Sequence, residues 1–161
     1  MKIKSLSGFV IAASVAIFLT YAHADDSSNG IVVSNAWVQA MPPSETKSVA
    51  YMIIRNNSQK EVVLVSASSD MVGEIILHHM SDVNAMMIMA DAENIHIPAR
   101  GKVILQPDGL HMMLVNFKKP VKKGDIVPIT LHFQGGSAMM VNAQVKSQEE
   151  EDSSSKPKMK M

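Results

Sequence analysis

From Ile31 to about Lys146 the chain consists of short apolar runs separated by turn-forming residues. Nine runs have strand character: Ile31–Gln39, Ser48–Asn56, Glu61–Ser68, Glu74–Met80, Met86–Ala90, Lys102–Gln106, Leu110–Asn116, Ile126–Phe133 and Met139–Val145. They are rich in Val and Ile, and several alternate apolar and polar positions with a period of two, as strands with one buried face do. Pro42-Pro43, Asn56-Asn57, Pro98, Pro107-Asp108-Gly109, Gly124-Asp125 and Gly135-Gly136 punctuate them. With no long amphipathic helix, the pattern predicts a single all-β domain, an antiparallel sandwich or barrel. Pro128 lacks an N–H to donate, so its run is expected to be an edge there or to be just starting.

The two ends follow other rules. Lys2 and Lys4 precede an apolar stretch from about Phe9 to Leu19, and Ala22-His23-Ala24 follows. That succession predicts a secretory signal over residues 1–24, cleaved near Ala24, with a stretch too short to serve comfortably as a membrane span. Residues 25–30 are a polar lead-in, 31–146 the folded domain, and 147–161 a polar, charged tail expected to be disordered. The chain has no Cys to carry a lipid. The mature protein is therefore expected to be soluble, to leave the membrane after cleavage and to be a monomer.

Charge excludes one class of partner. Lys plus Arg and Asp plus Glu number 15 each, and removing Lys2 and Lys4 leaves 13 bases against 15 acids, a net charge of −2. Nucleic-acid binding needs a basic face, and none is evident. The one basic cluster, Lys118, Lys119, Lys122 and Lys123, reads as a solvated turn, with docking onto an acidic partner as the alternative. No phosphate loop, dinucleotide fingerprint or nucleophile elbow occurs, and no paired carboxylates stand out, so an enzyme is not expected.

Export leads to an oxidising compartment, where a Cys-free chain has neither disulfides nor thiolate metal sites. It does have 14 Met, against 4 Phe, 2 Tyr and 1 Trp. Met ordinarily fills irregular gaps in cores, but a thioether is also a soft, neutral ligand that selects Cu(I), and imidazole suits copper as well. His111 and Met113 lie two apart on one strand and so share a face. His78 and Met89 lie on successive strands. A four-residue loop over Asp82–Ala85 would set His78 opposite Met89 and Met80 opposite Met87. The four would converge if the strand carrying His111 lay beside that hairpin. The residues alone leave this open against plain packing. A blue-copper electron-transfer centre needs a Cys and is excluded.

The order His78, ten residues, Met89, twenty-one residues, His111, one residue, Met113 matches the H-x10-M-x21-H-x-M signature of the PCu(A)C family of periplasmic copper chaperones. The surroundings resemble that family too, in Ala36-Trp37, Met41-Pro42-Pro43, Ala50-Tyr51, Ile95-His96-Ile97-Pro98-Ala99, Pro107–Leu114 and Lys119–Asp125. The resemblance covers roughly residues 31–146. It implies a cupredoxin-like Greek-key β-sandwich or barrel with an exposed site. The implied metal ligands are His78, Met89, His111 and Met113, the metal is Cu(I), and there are no catalytic residues. The implied function is a periplasmic metallochaperone that passes copper by ligand exchange to a copper-accepting domain, an assembly factor or subunit of respiratory cytochrome oxidase.

Copper or silver sequestration without a delivery target is the nearest alternative, and a non-metal envelope interaction module the more distant one. Around the four ligands, His79, Met80, Met86 and Met87 are expected to form an apolar shell, although any of them could substitute for a ligand. Met112 should point away from Met113 into the core, where Trp37, Met139 and Met140 are also expected. His96 and His132 read as ordinary strand residues. The tail offers Met159 and Met161 but no His, so it gives little support for a Cu(II) site.

Overall fold

The computed structural model describes residues 30–83 and 86–150, except for the side chains of 81–83, 86 and 87. The expected signal, the lead-in up to residue 29 and the tail from residue 151 lie outside the described residues. Ten strands follow one another: β1 (Ile31–Gln39), β2 (Lys47–Asn56), β3 (Val62–Ser68), β4 (Glu74–Val83), β5 (Met86–Asp91), β6 (Ile95–Ile97), β7 (Lys102–Leu105), β8 (His111–Val115), β9 (Ile126–Phe133) and β10 (Ala138–Lys146). The expected all-β architecture is present. The strand not anticipated is β6, three residues ahead of Pro98. Among the described residues no helix is long and apolar enough to cross a membrane.

The strands form one curled sheet in the order β5-β4-β8-β2-β1-β10-β9-β3-β6, with β7 also paired to β2. Strand pairings are antiparallel except between β1 and β10, which run parallel and join the two ends of the domain. The expected antiparallel sandwich or barrel holds apart from this one pairing. Alternation along one strand does not reveal how distant strands pair, so the parallel closure had no local signal.

On β2 the even-numbered residues Ala50, Met52 and Ile54 face inward and are fully buried. Val38, Leu64, Met112, Leu114, Ile129, Leu131 and Phe133 join them in the core. Burying each such side chain stabilises the fold by roughly 1.5–3 kcal/mol. Met112 is therefore core, as its position next to Met113 requires. Met139 packs partly against the core, whereas Met140 is 70% exposed, contrary to expectation. Neighbours on a strand face opposite ways, so both could not be inside. Pro128 is opposite Asn142 of β10, while the ladder to β3 ends at Thr130, so the missing N–H falls where β9 has one partner.

A bulge in β1 sets up the outer face. The register to β2 shifts between Ser34 and Trp37, and Asn35 adopts a left-handed φ of 51°. The extra residue changes the phase of alternation. Before it, Ile31 and Val33 pack inward; after it, Val38 does. Trp37 thus falls on the outer face opposite Tyr51, with ring centroids 4.7 Å apart. It is buried, as expected, but against Tyr51 and outside the main core cluster.

Candidate metal centre

Strand β8 is the centre of the site. It pairs with β4 on one side, placing His111 opposite His78 and Met113 opposite Ile76, and with β2 on the other, placing Met113 opposite Val49. Directly opposed residues share a face. His78, Met80, His111 and Met113 therefore project from one surface, the face opposite Met112 and Leu114.

The β4–β5 hairpin differs in register from the expectation. β4 continues to Val83 and β5 starts at Met86, so two residues separate the strands where four were expected. His78 faces Asp91 instead of Met89, and Met80 faces Met89 instead of Met87. A slip of two residues keeps every side chain on its face, whereas a slip of one would have reversed them all. Met89 consequently still lies on the outer face, 48% exposed on the edge strand.

Met80, Met89, His111 and Met113 line one open pocket of about 200 Å³. Val49, Tyr51, Pro107 and Asp108 form its remaining walls. Of the four residues implied as ligands, three border this pocket. His78 stands behind His111, ring edge against ring face, with centroids 5.5 Å apart at 83°. Met80, expected in the shell, lines the pocket itself. The side chains of Met86 and Met87 lie outside the described residues.

Hydrogen bonds determine which imidazole nitrogens are available. His111 Nδ1 lies 3.0 Å from the Gly109 carbonyl, which can only accept, so the proton sits on Nδ1 and Nε2 keeps its lone pair. The same carbonyl accepts the Met80 N–H at 3.3 Å. One oxygen thus ties β4 to His111. The turn that presents it is closed by Gly109 N–H to Gln106 O and Gln106 N–H to Leu110 O. Asp108 occupies the left-handed region at φ 60°, a conformation Asp tolerates better than most residues.

His78 Nε2 lies 3.1 Å from Asp91 Oδ1. Its Nδ1 is buried and has no hydrogen-bond partner among the described residues. An unsatisfied buried polar atom costs about 1–3 kcal/mol, and here it is a lone-pair nitrogen beside His111. The donor set thus fits a soft ion: two imidazoles with a free nitrogen each and thioethers beside them. Among the described residues no three His, Asp or Glu side chains cluster as a metal site.

Tyr51 forms the wall between this pocket and a second, apolar one beside Trp37, Ile53 and Ile104. Burial pushes its phenol above the ordinary value, and the Asp108 carboxylate adds to the effect. Other candidates are occupied elsewhere. His96 meets Glu61 at 2.9 Å and His132 meets Ser68 at 2.8 Å, as ordinary surface strand residues do. The basic cluster follows the end of β8 opposite to His111, and its Lys123 pairs with Glu150. Glu150 also accepts from Ser147 N–H at the start of a helical turn over 148–150, the described beginning of the expected tail.

Residues 31–145 match the family described as "Putative lipoprotein LpqE-like". The curated protein "Putative lipoprotein Lxx21020" of Leifsonia xyli subsp. xyli is 32% identical over 120 residues, which are 74% of this chain and 71% of that one. Among solved structures, apo-DR1885 from Deinococcus radiodurans is 32% identical, covering 90% of this chain and 96% of its own, with a TM-score of 0.60. CuI-DR1885 is 36% identical, covering 79% and 84%, with a TM-score of 0.58. The copper-bound PCuAC domain from PmoF2, at 23% identity, shares the fold over 73% of this chain and 93% of its own, with a TM-score of 0.62. The sheet is thus the cupredoxin-like β fold of PCuAC domains.

Proposed function

The chain belongs to the LpqE-like family, and from that premise and the donor set of its outer face we propose that it is an exported carrier of copper, held as Cu(I). The observation that carries the reading is the buried, unpartnered Nδ1 of His78 beside a pocket lined by His111, Met89 and Met113. The likeness to CuI-DR1885 supports it. Thioethers suit Cu(I) and cannot be protonated, while the imidazoles add stronger neutral donors.

The site is open to solvent along the Met89 edge. An incoming protein can add a ligand before the departing one leaves, which is how an ion moves between carriers without being released. We assign delivery to a copper-accepting domain of the respiratory oxidase or of its assembly machinery, in the periplasm or its equivalent. Sequestration by the same four residues is the second reading. Relatives are named lipoproteins, but these 161 residues contain no Cys to carry a thioether-linked lipid.

Competition between the chain from Asp25 onward and a chromophoric Cu(I) chelator tests the site. One tight site is expected, and replacing Met89 and Met113 together with Leu should abolish it. Unchanged binding in the double variant removes the assignment. Mixing the loaded protein with a metal-free oxidase copper domain separates delivery from storage, since only delivery predicts transfer.

A further inference from the structure

Three side chains lie in a row across the sheet. His78 on β4 is opposite Asp91 on one neighbouring strand and opposite His111 on the other. The row runs from solvent inward: the Asp91 side chain is 82% exposed, that of His78 only 11%, and His111 is buried. The Ala92 N–H donates to the Leu77 carbonyl, which continues the ladder one residue past Asp91 and holds the end of β5 in register. Among the described residues these three do not gather as a ligand cluster, so the carboxylate acts on the imidazole and not on an ion.

We infer that Asp91 is a positioning residue for copper: its carboxylate orients the His78 ring and keeps the proton on Nε2, so that the buried Nδ1 is the nitrogen left for the ion. This rests on the copper reading above. A carboxylate only accepts, so the 3.1 Å contact between Asp91 Oδ1 and His78 Nε2 places the proton on Nε2 and the lone pair of the neutral ring on Nδ1. Half a turn of the ring would bring a carbon opposite Asp91 and lose the bond, so the carboxylate also selects one of two ring orientations. His111 is arranged the other way round, since the Gly109 carbonyl takes its Nδ1–H and leaves Nε2. Two directly opposed imidazoles thus offer different nitrogens, each fixed by its own acceptor. An acceptor behind a metal-binding imidazole also raises its basicity, and a charged one does so more than a carbonyl.

The chain from Asp25 onward, with 15N-labelled His, tests this in two ways. The first is two-bond 1H–15N correlation spectroscopy of the metal-free protein at pH 8. His78 is expected with a protonated Nε2 and a bare Nδ1, and His111 with the opposite pattern. Asp91→Asn should keep the His78 pattern, because its amide oxygen still accepts. In Asp91→Leu the two ring-nitrogen shifts of His78 should draw together as the second tautomer appears, while those of His111 stay. The second measurement is Cu(I) chelator competition. Asp91→Leu should bind about tenfold more weakly or worse, and Asp91→Asn should recover part of that loss. Glu93→Gln, which removes a neighbouring exposed charge, should bind as the wild type does.

A wild-type His78 with its proton on Nδ1 overturns the inference without any variant. An Asp91→Leu protein with wild-type ring shifts or wild-type affinity overturns it as well. An equal loss of affinity in Asp91→Asn and Asp91→Leu does the same, because it assigns the effect to charge alone. All three leave the copper reading standing, whereas a wild type that binds no Cu(I) overturns both.

Discussion

Tyr51 shows how a single side chain can report on the site. It is buried against Trp37 at the wall of the pocket, and its phenol is raised first by burial and second by Asp108. Beyond residue 24 it is the only Tyr in the chain, so alkaline titration of phenolate absorbance reads it alone. Its transition should lie above the ordinary value near 10. In Asp108→Asn it should move down without reaching that value, because burial remains. The linkage to stability has a definite sign. The unfolded chain loses this proton first, so the contribution is complete below about pH 10 and disappears as pH rises through the folded value. A Tyr51 transition at the free-phenol value would show that the ring is not buried against Trp37.

At the scale of elements, face matters more than identity. β4 pairs with β8 only as far as His78, and beyond that its ladder partner is β5 alone. Met89 therefore contributes through the side on which the hairpin presents it. Exchanging two neighbours, Ile88→Met together with Met89→Ile, keeps composition and volume but sends the thioether to the opposite face. Ile88 is itself 42% exposed, so the exchange creates no burial problem. Cu(I) affinity should fall as far as in Met89→Leu, while far-UV circular dichroism stays unchanged. Retained affinity would mean that the hairpin does not hold its register.

The same logic explains what the sequence revealed. Alternation marked nine of the ten strands and put His111 and Met113 on one face, because a period of two is a local property. Loop length between β4 and β5 was misjudged, yet the face assignments survived because the error was two residues. β6 escaped notice because Ile95-His96-Ile97 is too short for a period to register. The bulge at Asn35 was invisible because it rests on one left-handed residue, and it moved Trp37 to the outer face. The role of Asp91 was also missed, since it depends on the true hairpin register. The signal that could have found it, and the Met80–Met89 pairing, was a link between β4 and β5 shorter than the four residues expected.

On the scale of the whole molecule, copper and the fold should be linked through the strands that carry the donors. His78 and Met80 belong to β4, Met89 to β5, and His111 and Met113 to β8. β8 also pairs with β2, which in turn pairs with β1 and β7. An ion held by these residues exists only while the β4, β5 and β8 ladders are closed, so it binds the native state and not the unfolded chain. At free Cu(I) one hundred times the dissociation constant, the native state gains about 2.7 kcal/mol. In a domain of this size that is an upward shift of the melting temperature on the order of 10 °C. The Met89→Leu, Met113→Leu double variant should melt close to wild type without metal, because Met89 is exposed and Met113 only half-buried. It should show no shift with Cu(I). Differential scanning calorimetry under anaerobic conditions measures both. A shift that persists in the double variant would place the stabilising ion elsewhere on the molecule, and an absent shift in the wild type would mean that the ladders close without it.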